Sequence, residues 1–183
     1  ASPPVPDPLS ATPLTPEEPT HAPILWRKRF PPCVQAALVS WDHPKGTVTN
    51  SDLELVTSIA QQDVLVHTFD LRERTIHTGS DNTPTVYWQR KGSTTTTKNP
   101  AELLRIQALH QRHHRYCSLF SHIPGPVNAM ADDTSRLWNL TDSQLLAYFN
   151  DTYPQKLPWR LCRLRPETKS ALISACCGQP STP

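Results

Sequence analysis

From Ile24 onward the apolar and polar residues recur with periods that predict regular elements, whereas residues 1–23 show no such period. Positions 24–30 read as a strand halted by Pro31 and Pro32, which cannot donate ladder hydrogen bonds, and 33–40 as a short helix. A turn at 43–46 leads to a short β-branched strand at 47–49. Asn50 or Ser51 then opens a helix with Leu53, Val56, Ala60 and Val64 on one face. Residues 74–78 form a further strand, ending at the polar run Gly79-Ser-Asp-Asn82. Thr83 serves as N-cap and Pro84 as first helical position of a helix over 84–89.

A polar loop over 92–98 precedes Asn99-Pro100, which opens a helix carrying Leu103, Ile106 and Leu109 on one stripe and Arg105, Arg112, His113 and Arg115 off it. Residues 116–123 read as a strand that runs into the Pro124-Gly125 turn. Beyond Arg136, helices are expected at 141–149 and 166–175, separated by the proline-interrupted stretch 153–164. Strands alternating with helices imply an α/β chain with a mixed sheet flanked by helices. The expected organisation is a disordered, proline-rich leader over 1–23, one domain over 24–137 and a helical C-terminal extension over 138–183.

Composition changes this picture in three ways. Eight of the twenty prolines lie in residues 1–23, with few large apolar side chains to bury, which is why that segment is read as a leader. A length of 183 residues suits one core, and a formal charge of +2 is too small to imply nucleic-acid binding by its sum. The five cysteines are odd in number and lack the spacing of a zinc module, so they are read as reduced thiols of an intracellular protein, cytoplasmic or nuclear. No apolar run approaches the ~20 residues of a membrane span, and no secretory signal opens the sequence; no membrane partner is expected.

Candidate chemistry centres on acids beside predicted strand ends: Glu54 early in a helix, Asp81 just past a strand, and Asp132 after a strand and turn. Each has a plainer reading. Ser51-x-x-Glu54 is a capping box, Asp81 can help cap the next helix, and Asp132 with Asp133 suits a helix N-terminus. His110, His113 and His114 have helical spacing suited to a metal, but Arg112 and Arg115 lie among them and the segment is read as a solvated basic face. Trp88, Arg90 and Lys91 either stack on and pair with a nucleic-acid backbone or divide into a core Trp and a solvated loop.

Taken together, these acids and their flanks resemble the ribonuclease H domain of retroelement reverse transcriptases, the tyrosine-recombinase type most of all. His122-Ile-Pro-Gly-Pro-Val-Asn128, followed by Ala131-Asp132-Asp133-Thr-Ser-Arg136, is similar to that family's closing motif. Asn50-Ser-Asp-Leu-Glu-Leu55 resembles its catalytic helix start, and Thr78-Gly-Ser-Asp-Asn82 its strand-end Asp. The resemblance covers 24–136. It implies a ribonuclease H-like fold and two-metal cleavage of the RNA strand of RNA–DNA hybrids, with Mg²⁺ or Mn²⁺ held by Glu54, Asp81 and Asp132. Asn82, Arg90 and Lys91 would contact nucleic acid, and the reverse transcriptase portion of the same polyprotein would be a partner. Hard Mg²⁺ prefers carboxylate oxygens, which is why such chemistry clusters acids from separate elements. The family's first strand, with its own Asp, has no counterpart ahead of Ile24, so the chain is expected to be truncated before that strand. Three readings therefore stay open: a metal-dependent nuclease, a non-catalytic nucleic-acid-binding or structural remnant, and a host interaction protein whose proline-rich leader binds aromatic grooves.

Overall fold

The computed structural model describes residues 21–94 and 98–177. In order the elements are β1 (Ile24–Leu25), α1 (Pro32–Ala37), α2 (Asn50–Thr68), β2 (Thr75–Ser80), α3 (Thr83–Lys91), α4 (Lys98–His114), β3 (Cys117–His122), a 3₁₀ turn (Gly125–Val127), α5 (Ala129–Arg136), α6 (Asp142–Thr152), β4 (Arg160–Leu161) and α7 (Pro166–Cys176). The chain is mixed α/β, with helices predominating over two small parallel sheets. The leader assigned to 1–23 lies outside the described residues except at 21–23, as does part of the loop at 92–98.

Helix α2 is the axis of the molecule. No glycine or proline interrupts it, and Thr49 caps it through a reciprocal box: the Thr49 hydroxyl accepts from the Asp52 amide at 3.2 Å while Asp52 Oδ2 accepts from the Thr49 amide at 2.7 Å. The Ser51–Glu54 box expected from the sequence is therefore not the one formed. Leu55, Val56, Ile59, Ala60 and Val64 are buried, but so are Asp52, Ser58, Gln62 and Asp63. The apolar stripe is thus wider than expected, because α2 is covered by α3, α4, α7 and β2. A Leu or Ile buried completely, as Leu55 and Ile59 are, gains about 1.5–3 kcal/mol over its exposed state.

β2 and β3 pair in parallel from Thr75↔Cys117 to Ser80↔His122. Thr78 and Phe120 are buried, and α3 packs on both strands. Both strands follow a left-handed non-glycine residue, Glu73 and Arg115, each with φ of 56°. The Glu73 amide donates to the Arg115 carbonyl, and the two side chains form an ion pair. That contact starts the two strands side by side.

Several expected boundaries move. The strand foreseen over 24–30 shortens to Ile24–Leu25, which pairs with β4. Beyond Leu25 the chain leaves the ladder: Arg27 donates to the carbonyls of Leu137 and Leu140, and Arg27 and Arg29 lie over the Trp138 ring. The short strand foreseen at 47–49 is a single bridge, Leu38↔Val48. It closes over Gly46, where a Cβ would stand 2.6 Å from the Val39 amide nitrogen. Asn82, not Thr83, caps α3, its Oδ1 accepting from the Thr85 amide. Leu109 is 50% exposed, because the inward stripe of α4 continues from Leu103 through Gln107 to His110.

The stretch read as a C-terminal extension packs into the fold. Leu172, Ala175 and Cys176 of α7 join Leu55, Ile59 and Leu103 in the main core. A second cluster forms where Leu25 of β1 meets Leu145 and Phe149 of α6. Among the described residues, no helix is long and apolar enough to cross a membrane.

Candidate functional site

The three acids singled out in the sequence lie on α2, just beyond β2, and on α5. Glu54 is half-buried one turn into α2 and free of the capping box, which uses Thr49 and Asp52. Burial pushes the Glu54 carboxyl above its ordinary value, and the nearby charge of Asp81 pushes it further. Neither acid has a hydrogen bond or ion pair among the described residues. Asp81 is exposed after the last residue of β2, and it does not cap α3, because Asn82 does. Gly125, in the turn after β3, approaches from the other side: a Cβ there would stand 3.6 Å from Asp81 Oδ2. The missing side chain leaves room beside that carboxylate.

Asp132 sits in the first turn of α5, 49% exposed, and pairs with Arg136 at 2.6 Å. The carboxylate oxygens of Glu54, Asp81 and Asp132 do not form a set in which all lie within 4.8 Å of one another. The neighbouring Asp133 accepts hydroxyls from Tyr148 and Tyr153, both at 2.7 Å, which hold its carboxyl below the ordinary value. Asp133 thus ties α5 to α6.

Of the residues expected to meet nucleic acid, Asn82 is occupied by its cap and Arg90 Nε donates to the Phe120 carbonyl at 2.7 Å. Lys91 is exposed, its ammonium 5.7 Å from the centre of the Tyr87 ring. Trp88 packs against the main core, as the plainer reading of that residue has it.

A second polar constellation was missed from the sequence. Asp63, wholly buried on α2, faces His110 and His114 of α4, and one ligand atom from each lies within 4.8 Å of the others. His110 Nε2 is 3.2 Å from Asp63 Oδ1, and its Nδ1 is 2.8 Å from the Tyr116 hydroxyl, which donates to Gln62 Oε1 at 2.9 Å. From α7 the Thr168 hydroxyl donates to Asp63 Oδ1 at 2.8 Å, and Arg165 approaches the same oxygen at 3.4 Å. Burial alone would raise the Asp63 carboxyl, but the bonds from His110 and Thr168, with the charges of Arg165 and His67, hold it below its ordinary value. Asp63 Oδ2 has no hydrogen-bond partner.

His114 lies 4.4 Å, 4.7 Å and 5.2 Å, ring centre to ring centre, from His110, His113 and His67. Burial first, then those neighbouring imidazoles, push its pKa down to about 4, so it is neutral near pH 7. His110 and His114 are thus part of the interior, correcting the solvated basic face read for this segment; His113 alone of the three stays exposed. The sequence carried a signal that was underused. Asp63 and His67, and His110 and His114, are each four residues apart, the spacing that puts two side chains on one helical face.

No family model, curated protein or solved structure matches this chain.

Proposed function

We propose that the chain is a ribonuclease H-like domain of retroelement origin that hydrolyses the RNA strand of RNA–DNA hybrids, working beside the reverse transcriptase portion of its polyprotein. The observation that carries this reading is the approach of Glu54 to Asp81. Burial, and then the charge of Asp81 on a separate element, raise the cost of ionising Glu54, and neither carboxylate has an ion-pair partner among the described residues. Such a pair suits a hard divalent cation, Mg²⁺ or Mn²⁺, because oxygen ligands of full charge match it. The element order supports the reading as well: a strand followed at once by Asp81, two helices, a parallel neighbour strand and the short helix of Asp132.

Bound there, the metal would supply charge stabilisation at a phosphoryl oxygen and a more acidic water. The protein's own residues do the positioning. Glu54 is fixed by α2 and must be deprotonated. Asp81, exposed just past β2, carries no hydrogen bond or ion pair among the described residues, and Asp132 has to release Arg136 to take part. Lys91, which is exposed, would contact phosphate, positioning a duplex without reading its sequence.

Cleavage of a labelled hybrid by the purified chain tests this directly. RNA-strand cutting should require Mg²⁺ or Mn²⁺, and Glu54→Gln and Asp81→Asn should each slow it by about a hundredfold or more, the scale on which single electrostatic groups act. A hybrid left intact at every metal concentration removes the catalytic claim. In that event the second reading stands, a non-catalytic nucleic-acid-binding or structural remnant. It is favoured by the spread of the three carboxylates and the Asp132–Arg136 pair. It requires salt-dependent hybrid binding without cleavage.

A further inference from the structure

We propose that Asp63, His110 and His114 form a binding site for a divalent transition-metal ion, zinc, separate from the carboxylates of Glu54, Asp81 and Asp132. Two neutral imidazoles and one carboxylate are a donor set that suits zinc and suits magnesium poorly.

The surroundings of His110 aim its ring at Asp63. Nδ1 lies 2.8 Å from the Tyr116 hydroxyl, which in turn lies 2.9 Å from Gln62 Oε1, and Nε2 lies 3.2 Å from Asp63 Oδ1. A partner on the second ring nitrogen, here Tyr116 backed by Gln62, is what orients a ligating histidine.

Asp63 adds an independent pointer. Its side chain is wholly buried, yet Oδ2 has no hydrogen-bond partner while Oδ1 is served by Thr168, His110 and Arg165. A buried carboxylate with one oxygen unspent has donor capacity left for an ion. The competing cation is Arg165, whose side chain is 44% exposed and free to withdraw. His114 supplies the third donor and also lines an open cleft of about 370 Å³ with Val66, Phe69, Asp70, Leu71 and Arg72. Zinc–nitrogen and zinc–oxygen bonds of ~2.0–2.2 Å place tetrahedral ligands roughly 3.4 Å apart, so closing the present spread takes side-chain shifts of about an ångström. Three protein ligands leave a fourth position for water or a donor entering from the cleft.

Titration of the metal-stripped, reduced full chain with Co²⁺ in excess Mg²⁺ provides the test, with Zn²⁺ as competitor. One equivalent should bind and give the visible absorption of four-coordinate cobalt on nitrogen and oxygen, and Zn²⁺ should abolish the spectrum. His114→Ala, at a half-buried position, should keep the parent chain's far-UV circular dichroism and weaken binding at least tenfold. Tyr116→Phe should weaken it about tenfold by loosening His110. Zn²⁺ should raise the thermal midpoint of the parent chain and leave His114→Ala unmoved. The proposal is overturned if His114→Ala binds as tightly as the parent chain, or if no cobalt binds. A sulfur-to-cobalt charge-transfer band would also overturn it, by moving the ion to Cys33 and Cys177, whose sulfurs are 4.0 Å apart. Glu54→Gln should bind zinc normally, so the nuclease reading and this one fail separately.

Discussion

At the scale of single residues, Glu54 carries the most information. Its folded pKa is raised, so the ionised form is less stable in the folded chain than in the unfolded one. Any stability tied to this group is present below the unfolded value of 4.5 and lost as pH rises through the higher folded value. Glu54→Gln should therefore raise the urea midpoint at pH 7 and leave it unchanged near pH 4, and Mg²⁺ should produce a similar rise in the parent chain by neutralising the same repulsion. A midpoint that falls at pH 7 would mean Glu54 is stabilised by its surroundings. Glu54 and Asp81 could be named from the sequence because each stands next to a recognisable element end. Asp63 was harder to find, since its setting is assembled from positions 63, 110, 116, 165 and 168, and the four-residue spacings of Asp63 with His67 and His110 with His114 mark two helical faces without saying that they meet.

Among the elements, the start of α2 shows how a correct helix can be entered through the wrong residue. Two boxes overlap there, Thr49-Asn-Ser-Asp52 and Ser51-Asp-Leu-Glu54, and either satisfies the pattern. The choice is made elsewhere. The Val48–Leu38 bridge, closed over Gly46, holds Thr49 extended at φ −98° and ψ 165°, which is cap geometry, and the chain turns helical at Asn50. Thr49→Ala should cost about 1 kcal/mol in equilibrium unfolding, and Ser51→Ala should fall within about 0.5 kcal/mol of the parent. Equal costs would show that the two caps share the load. The strands β2 and β3 were legible within two residues at either end, since each is bounded by turn residues. β1 and β4 were not, being two residues long and defined by their mutual pairing alone. Leu109 misled for a related reason: the inward stripe of α4 turns polar at Gln107 and His110 to meet Gln62 and Asp63, and a hydrophobic count follows the leucine outward.

Across the whole molecule, the main core draws on residues from Val34 to Cys176. The expected boundary near Arg136 marks a change in sequence texture, yet α7 packs on α2 and α4 and contributes Leu172, which is 1% exposed. Leu172→Ala should cost about 2–5 kcal/mol, a large share of the ~5–15 kcal/mol that holds a domain of this size together. A loss below about 0.5 kcal/mol would show that α7 is an appendage resting on a self-sufficient core. The broad class, α/β, followed from the alternation of short periodic segments. That the last helix belongs to the core did not, because periodicity reveals that a helix has an apolar face and is silent about which surface receives it.

The pairing of Ile24 with Arg160 and Leu25 with Leu161 also has a meaning in time. The strand at Ile24–Leu25 has nothing to pair with until Arg160 and Leu161 have been made, and the loop it closes is among the longest in the described fold. Local helices and the β2–β3 unit can form early, but the β1–β4 seam carries a closure entropy that the contacts of the intervening elements must offset. During synthesis the segment around Leu25 must wait, unpaired, for α6 and β4 to emerge. The topology thus makes the β1–β4 seam the expected last step of assembly.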